Sequence, residues 1–326
     1  MPTMGKGEFE RIADYFAPLA AGYPEAFGLT DDAALISPDA GQSLVVTTDT
    51  IVEGVHYIGD EPADMIARKL LRVSLSDLAG MGAAPHAYTL NVALPREIQD
   101  QWLASFVSGL KRDQNEFDID LIGGDSVSTT GPTVLSATLF GLVANGRAVR
   151  RAGASVGDGI FVSGTIGDGT LGLKVADGSI ELADEMAARE IARRYRLPQP
   201  RCTLGLRLAD VATAGADISD GLLADLGHIT AASDVGAEIE LDRVPLSSPA
   251  REILAHHPDL RALVVTGGDD YELIFTSSKA QAVSDLSLEL GLPITQVGTI
   301  VGGHGVKVLD FRGDTVPFGK LGYRHV

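Results

Sequence analysis

The residues best suited to chemistry in this chain are aspartates. Asp31 and Asp32 stand in TDDAAL, Asp49 in VVTTDT, Asp77 in VSLSDLAGMG and Asp125 in IGGDS. Asp217 and Asp220 stand in ADISDG, and Asp269 and Asp270 in TGGDDYEL. Several directly follow a short apolar run that reads as a strand, which is where an open α/β fold binds its ligands. Any one alone reads equally well as a solvated loop residue; the recurrence carries the signal. Carboxylates that converge repel by roughly 4 kcal/mol for each pair 4 Å apart at an effective dielectric of 20. Hard divalent cations remove that repulsion. Magnesium takes oxygen ligands, keeps some of its water and is commonly shared between carboxylates and phosphates. The sequence has no H-E-x-x-H or comparable histidine grouping that would point to zinc. The pattern predicts a phosphate site holding several magnesium ions.

Helix arithmetic singles out Asp77. At 100° per residue, Ile66, Leu70, Val73 and Asp77 fall at about 0°, 40°, −20° and 20°, with Asp64, Arg68, Lys69 and Arg72 on the opposite arc. A carboxylate on an apolar stripe needs a counter-charge, a cap or a metal. Arg150 and Arg151 stand at a change of texture; a guanidinium there suits a bidentate grip on phosphate, and the spacing is equally that of a solvated pair. His56 follows the Asp49 segment and Tyr323 closes the chain in KLGYRHV; each fits a substrate contact or ordinary packing. Gly167, Gly169 and Gly172 spell G-x-G-x-x-G after an apolar strand, but no second strand ending in an acidic residue follows, so the motif reads as a glycine-rich turn. The phosphate loop G-x-x-x-x-G-K-[ST] is absent.

The elements that must position these residues come from a chain of 326 residues, enough for two domains. Its 26 Lys+Arg against 44 Asp+Glu give a net charge of −18, which disfavours nucleic-acid and anionic-membrane partners. Cys202 is the single cysteine, so neither an intrachain disulfide nor a multi-cysteine zinc site can form. Acidic residues at Glu8, Glu10 and Asp14 replace the apolar run of a signal peptide, and the uncharged stretch Leu78 to Pro95 is broken by Gly80, Gly82, Pro85 and Asn91. A cytoplasmic protein is expected.

Strands are expected over 44–48, 86–93, 119–122 and 133–144, with helices over 63–78 and 97–115. Near Arg150 a glycine-dense segment leads into a strand over 160–163. The domain boundary is placed there, giving residues 1–150 and 151–326. The second half reads as helices near 183–195, 201–212, 221–232 and 279–290. Its strands fall near 216–218, 237–241, 271–276, 294–300 and 306–310. The fold class is α/β (α+β), two layered domains.

Taken in order, DDAA, TTDTIVEGVHY, SLSDLAGMGA, LIGGD, R-x-G-A-x-x-G-D, DISDGL, GGDDYEL and a late Gly-Tyr resemble the thiamine-monophosphate kinase family, within the aminoimidazole ribonucleotide synthetase-like ATP-binding enzymes. The match runs from about Gly7 to Tyr323. The resemblance implies an N-terminal ATP- and magnesium-binding domain that pairs across a homodimer barrel, and a C-terminal domain over the active site. It implies magnesium at Asp32, Thr47, Thr48, Asp49, Asp77, Asp125, Asp217 and Asp220. It implies ATP contacts from Gly124, Asp125, Arg151 and Ser219, and thiamine phosphate contacts from His56, Asp269 and Tyr323. The implied reaction turns thiamine monophosphate and ATP into thiamine diphosphate and ADP by direct transfer, with no dedicated general base.

Two positions depart from the family pattern. Thr30 replaces a glycine before the paired aspartates, which is expected to tighten that loop because threonine avoids positive φ. Asp269 replaces a glutamate one methylene longer. Among related enzymes, selenophosphate synthetase needs a reactive cysteine or selenocysteine near the N-terminus, and the hydrogenase-maturation dehydratase ends in cysteine; this chain has neither feature. An aminoimidazole ribonucleotide synthetase-like enzyme and a non-catalytic nucleotide- or thiamine-phosphate-binding protein remain as alternatives.

Overall fold

The computed structural model describes residues 8–319 and 322–323; the first seven residues of the N-terminal segment read above, and most of KLGYRHV apart from Gly322 and Tyr323, lie outside the described residues. The chain forms two compact units, one of residues 1–78 and 84–145, the other of residues 79–83 and 146–326.

The first unit opens with a short helix α1 (Glu8–Arg11) and further helical turns, then alternates strands and helices. The elements are β1 (Gln42–Val52), α2 (Ala63–Gly80), β2 (Ala84–Pro95), α3 (Asp100–Phe117), β3 (Asp120–Thr129) and β4 (Val134–Ala144). The sheet runs β1-β4-β2-β3, so β1 and β3 are its two edges. Strand β4 shows how it packs: its residues alternate between buried and partly exposed along the whole strand, the period-two signature of a sheet with one packed face. The other face carries Val46 and Val127, each more than half exposed.

One sequence expectation changes here. Strands β1 and β3 continue through Asp49 and Asp125 rather than ending before them. The charged arc of α2 is not solvated. Arg72 is 2% exposed and donates to Asp113 of α3 at 2.7 Å and to Glu116 at 2.7 Å, while Arg68 donates to Asp113 at 2.7 Å. Gly109 allows that approach, since a Cβ there would lie 2.2 Å from the Asp64 carbonyl oxygen. Helix α2 is thus packed on both sides, by the sheet and by α3.

The second unit contains a six-stranded sheet ordered β10-β7-β9-β5-β8-β6. Its strands are β5 (Gly159–Ser163), β6 (Ala214–Asp217), β7 (Gly236–Glu240), β8 (Leu273–Ser277), β9 (Ile294–Val301) and β10 (Gly305–Leu309). Helices α4 (Asp168–Ala176), α5 (Glu185–Arg196), α6 (Cys202–Val211), α7 (Leu222–Ser233) and α10 (Ala280–Leu290) cover it. Two further helices go beyond the sequence expectation, α8 (Ser248–His256) and α9 (Arg261–Thr266). The first has a visible signal: Ser247 caps it by accepting the Ala250 N–H, with Pro249 in the first turn. Core residues such as Ile160, Val162, Leu223, Ile239 and Ile274 are fully buried between sheet and helices.

Candidate active site

In the first unit, β1 and α2 bring together one group of the predicted metal ligands. Asp49 and Thr47 share a strand parity, so both side chains face α2. Ser74 donates to the Asp49 carboxylate at 2.7 Å, and Thr47 makes a short hydrogen bond to Asp77. Burial raises the Asp49 carboxyl above its ordinary range, against the opposing effects of Ser74 and His56. Thr48 has the other parity. Its hydroxyl donates to the Ala137 carbonyl and accepts from Thr138 at 3.0 Å, so its side chain is not part of the Asp49–Asp77 cluster. Only its backbone carbonyl is available in the ligand role the resemblance implies.

His56 is held within this same unit, its own N–H donating to the Val52 carbonyl at 2.9 Å. The Val52 N–H donates to His56 Nδ1 at 3.1 Å, and the buried Lys69 ammonium donates to the His56 carbonyl at 2.9 Å. An accepting Nδ1 leaves the ring proton on Nε2, which becomes the donor this side chain offers.

A second group gathers at the β3 edge. Asp31, Asp32, Gly124, Asp125 and Ser126 rim a pocket floored by Phe16, Leu29, Leu90, Val92 and Leu121. Gly124 is required there, because a Cβ would lie 1.8 Å from the Leu90 carbonyl oxygen. Thr30 does not strain this loop as expected: its φ is −105°, and Phe27, Gly28 and Leu29 carry the positive φ values instead. The two groups lie apart. Asp49 pairs with Ala137, which pairs with Leu90, which pairs with Gly124, so three strand spacings, roughly 14 Å, separate Asp49 from the Gly124–Asp125 position. A single ion cannot bridge them.

In the second unit the DISDG and GGDDY segments are laced together by backbone bonds. Asp217 ends β6, 4% exposed. The Asp269 N–H donates to the Ser219 carbonyl at 2.9 Å, Tyr271 N–H to the Ile218 carbonyl at 2.8 Å, and Tyr323 N–H to the Asp220 carbonyl at 3.0 Å. Ser219, Asp220, Asp269 and Tyr323 therefore share one neighbourhood. Arg151 belongs beside it, since its charge lowers the Asp225 pKa.

Residues 30–143 match the AIR synthase related protein N-terminal domain, and residues 155–310 match its C-terminal domain. The thiamine-monophosphate kinase of Caulobacter vibrioides is 42% identical over 323 residues, covering 98% of this chain and 90% of that protein. The chain belongs to the thiamine-monophosphate kinase family. A solved thiamine-monophosphate kinase from Stenotrophomonas maltophilia K279a superposes with a TM-score of 0.81 at 44% identity, over 88% of this chain and 91% of that one. AaThiL, solved in complex with AMPPCP and TMP, superposes with a TM-score of 0.78 at 28% identity, over 99% of this chain and 100% of that one.

This thiamine-monophosphate kinase family member carries site residues that sequence reasoning missed. Asp225, 1% exposed, accepts the N–H groups of Ser219, Asp220 and Gly221 at 3.1 Å each and so shapes the loop bearing Asp220. Burial, then the Asp220 charge, push its carboxyl up to about 7. One ligand atom from each of Asp220, Asp225 and His228 lies within 4.8 Å of the others. The signal was present as Asp225 and His228, three apart on α7, but their approach to Asp220 depends on the turn at Gly221, whose φ of 121° suits glycine. Glu272 was also missed: fully buried, it accepts from Ser163, Arg194 and Arg201 at 2.6 Å each.

Proposed function

We propose that this chain phosphorylates thiamine monophosphate with ATP, yielding thiamine diphosphate and ADP. The observation that carries this reading is near full-length identity of 42% to a thiamine-monophosphate kinase, together with retention of the aspartate motifs across both units. The relative solved with AMPPCP and TMP supports the same pair of ligands.

The donor set fits magnesium. Asp32, Thr47, Asp49, Asp77, Asp125, Asp217 and Asp220 offer only hard oxygen atoms, as does the Thr48 carbonyl, and burial already disfavours the bare Asp49 charge. Several magnesium ions held there would neutralise the phosphates of donor and acceptor. Gly124, Asp125, Arg151 and Ser219 are proposed to contact ATP, with the apolar floor beside Gly124 receiving its adenine. His56 offers its Nε2 proton to the acceptor phosphate, and Asp269 and Tyr323 complete acceptor recognition. The acceptor oxygen is already ionised near neutral pH, so these side chains orient it in line with the γ-phosphate instead of deprotonating it. No phosphoenzyme forms.

A homodimer is part of this proposal, and the sheet supports it. The carboxylates occupy both edges of a four-stranded sheet whose face opposite α2 carries the exposed apolar residues Leu44, Val46 and Val127. Two such sheets closing a barrel edge to edge cover those faces and bring each Asp49 cluster to a partner's Asp125 edge. Among the described residues no helix is long and apolar enough to cross a membrane, and a cytoplasmic location is proposed.

The test is release of ADP on adding thiamine monophosphate, with and without magnesium, against free thiamine and aminoimidazole precursors. Magnesium-dependent release with thiamine monophosphate alone is expected. Binding without release would identify a non-catalytic protein. Release with an aminoimidazole precursor would identify the other enzyme of this superfamily.

A further inference from the structure

The glycine motif after β5 has no part in the proposed phosphate chemistry, yet its backbone amides are already occupied, by a carboxyl group of this chain. Gly167 and Gly169 at the start of α4 donate their N–H groups to the two oxygens of Asp270, at 2.7 and 2.9 Å. Asp270 is 2% exposed. Thr170 of the same turn donates to the Gly268 carbonyl at 2.9 Å. The segment so gripped is conformationally costly. Asp269 and Tyr271, on either side of Asp270, have φ values of 69° and 52°, a region that non-glycine residues rarely adopt. Such a conformation persists only where its surroundings over-determine it. Here those surroundings are the Asp270 carboxylate between them and the backbone bonds from Asp269 to Ser219 and from Tyr271 to Ile218. The Tyr271 hydroxyl then donates to Asp269 Oδ1 at 3.2 Å, which fixes the side chain as well.

We infer that Asp270 is a positioning residue: seated in the Gly167–Gly169 amides, it holds Asp269 in its left-handed conformation and thereby sets affinity for the phosphoryl acceptor. This rests on the reading that Asp269 faces thiamine monophosphate. The aspartate at 269 is one methylene shorter than the family's glutamate, so it has less reach with which to absorb a displaced backbone. The proposal also gives the glycines separate duties. A Cβ on Gly169 would lie 2.2 Å from the Asp269 carbonyl oxygen, whereas a Cβ on Gly172 would lie 2.2 Å from the Ile191 carbonyl oxygen. Both substitutions create backbone clashes in α4, but only the first pushes on the acceptor segment.

The experiment compares Asp270→Asn, Gly169→Ala and Gly172→Ala in the full chain, measuring steady-state kinetics for both substrates and thermal melting. Asp270→Asn keeps the shape but turns an amide group toward one of the two N–H donors, costing about one hydrogen bond, so KM for thiamine monophosphate should rise about tenfold. KM for ATP should stay within about twofold, and Gly169→Ala should reproduce the split by its independent route. Gly172→Ala should lower the melting temperature and leave the acceptor KM near that of the parent chain. Should Asp270→Asn fail to fold, Gly169→Ala against Gly172→Ala decides the matter. An unchanged acceptor KM in the folded variants, or equal losses for both substrates in all three, would overturn the positioning role. Absence of turnover by the parent chain with thiamine monophosphate would instead overturn the functional reading, and this inference with it.

Discussion

Ser74 donates to the Asp49 carboxylate at 2.7 Å from one helical turn before Asp77, and Asp77 in turn receives the hydroxyl of Thr47, two residues before Asp49 on β1. Strand period two and the three-residue helical spacing thus interlock, and two carboxylates are presented side by side.

Burial raises the Asp49 carboxyl, so a proton and a cation compete for it as pH falls. The magnesium concentration giving half-maximal ADP release should rise as pH is lowered from neutrality to the lowest pH at which the chain stays folded, beyond the change caused by protonation of ATP itself in a metal-binding control. Asp49→Asn should lower turnover on the order of a hundredfold while leaving the circular dichroism spectrum intact. A flat magnesium requirement over that pH range would remove Asp49 from the ligand set.

Asp225 gives a stability prediction of defined sign. Its carboxyl is pushed up to about 7 in the folded protein, against 3.8 as its ordinary value. The folded state therefore binds more proton than the unfolded state between those values, and this contribution to stability is lost as pH rises from about 4 through 7. An asparagine side chain cannot titrate, so the stability of Asp225→Asn relative to the parent should improve as pH rises from about 5 to about 8. Urea unfolding without magnesium at both pH values measures the difference. Equal pH slopes for the two proteins would contradict it.

The paired arginines of α2 predict the cost of breaking a buried network. Asp113 has a fully buried carboxylate that accepts from both Arg68 and Arg72. Asp113→Ala takes one of its two carboxylate partners from the 3%-exposed Arg72 side chain, Glu116 being the other, and should destabilise the chain by about 3–5 kcal/mol in urea unfolding. A loss below about 1 kcal/mol would mean that the pair is screened like a surface bridge.

How much of this was legible beforehand depended on whether the information was local. The Asp49, Asp77, Asp125, Asp217 and Asp220 motifs were readable because residue type and immediate setting sufficed. The face taken by the Thr48 hydroxyl needed a strand boundary to read: once β1 runs through Asp49, parity alone sends it to the face opposite Asp49. The partners of the charged arc of α2, Asp113 and Glu116, lie some forty residues away in sequence, so no local pattern names them. The glycine motif after β5 showed a phosphate-like turn, but its occupant is a carboxylate about a hundred residues downstream. Apart from the parity of Thr48, what stayed illegible was long-range contact that no local pattern encodes.

The dimer can be tested at a single side chain. Val46 lies near the middle of the edge strand β1, 55% exposed, between Val45 and Thr47, which face the helices. In a monomer, Val46→Asp replaces one solvated side chain by a better solvated one, and its effect on stability should stay within about 0.5 kcal/mol. In a barrel closed between two copies it buries an unpaired charge in the seam, which is strongly unfavourable. Light scattering should therefore show the mass falling from about two chains to one, with the circular dichroism spectrum preserved. Activity should fall with the dimer on the proposed reading, in which the carboxylates of β1 and β3, at opposite edges of one sheet, meet across two copies. A monomeric Val46→Asp protein with parental turnover would show instead that one chain assembles the whole site.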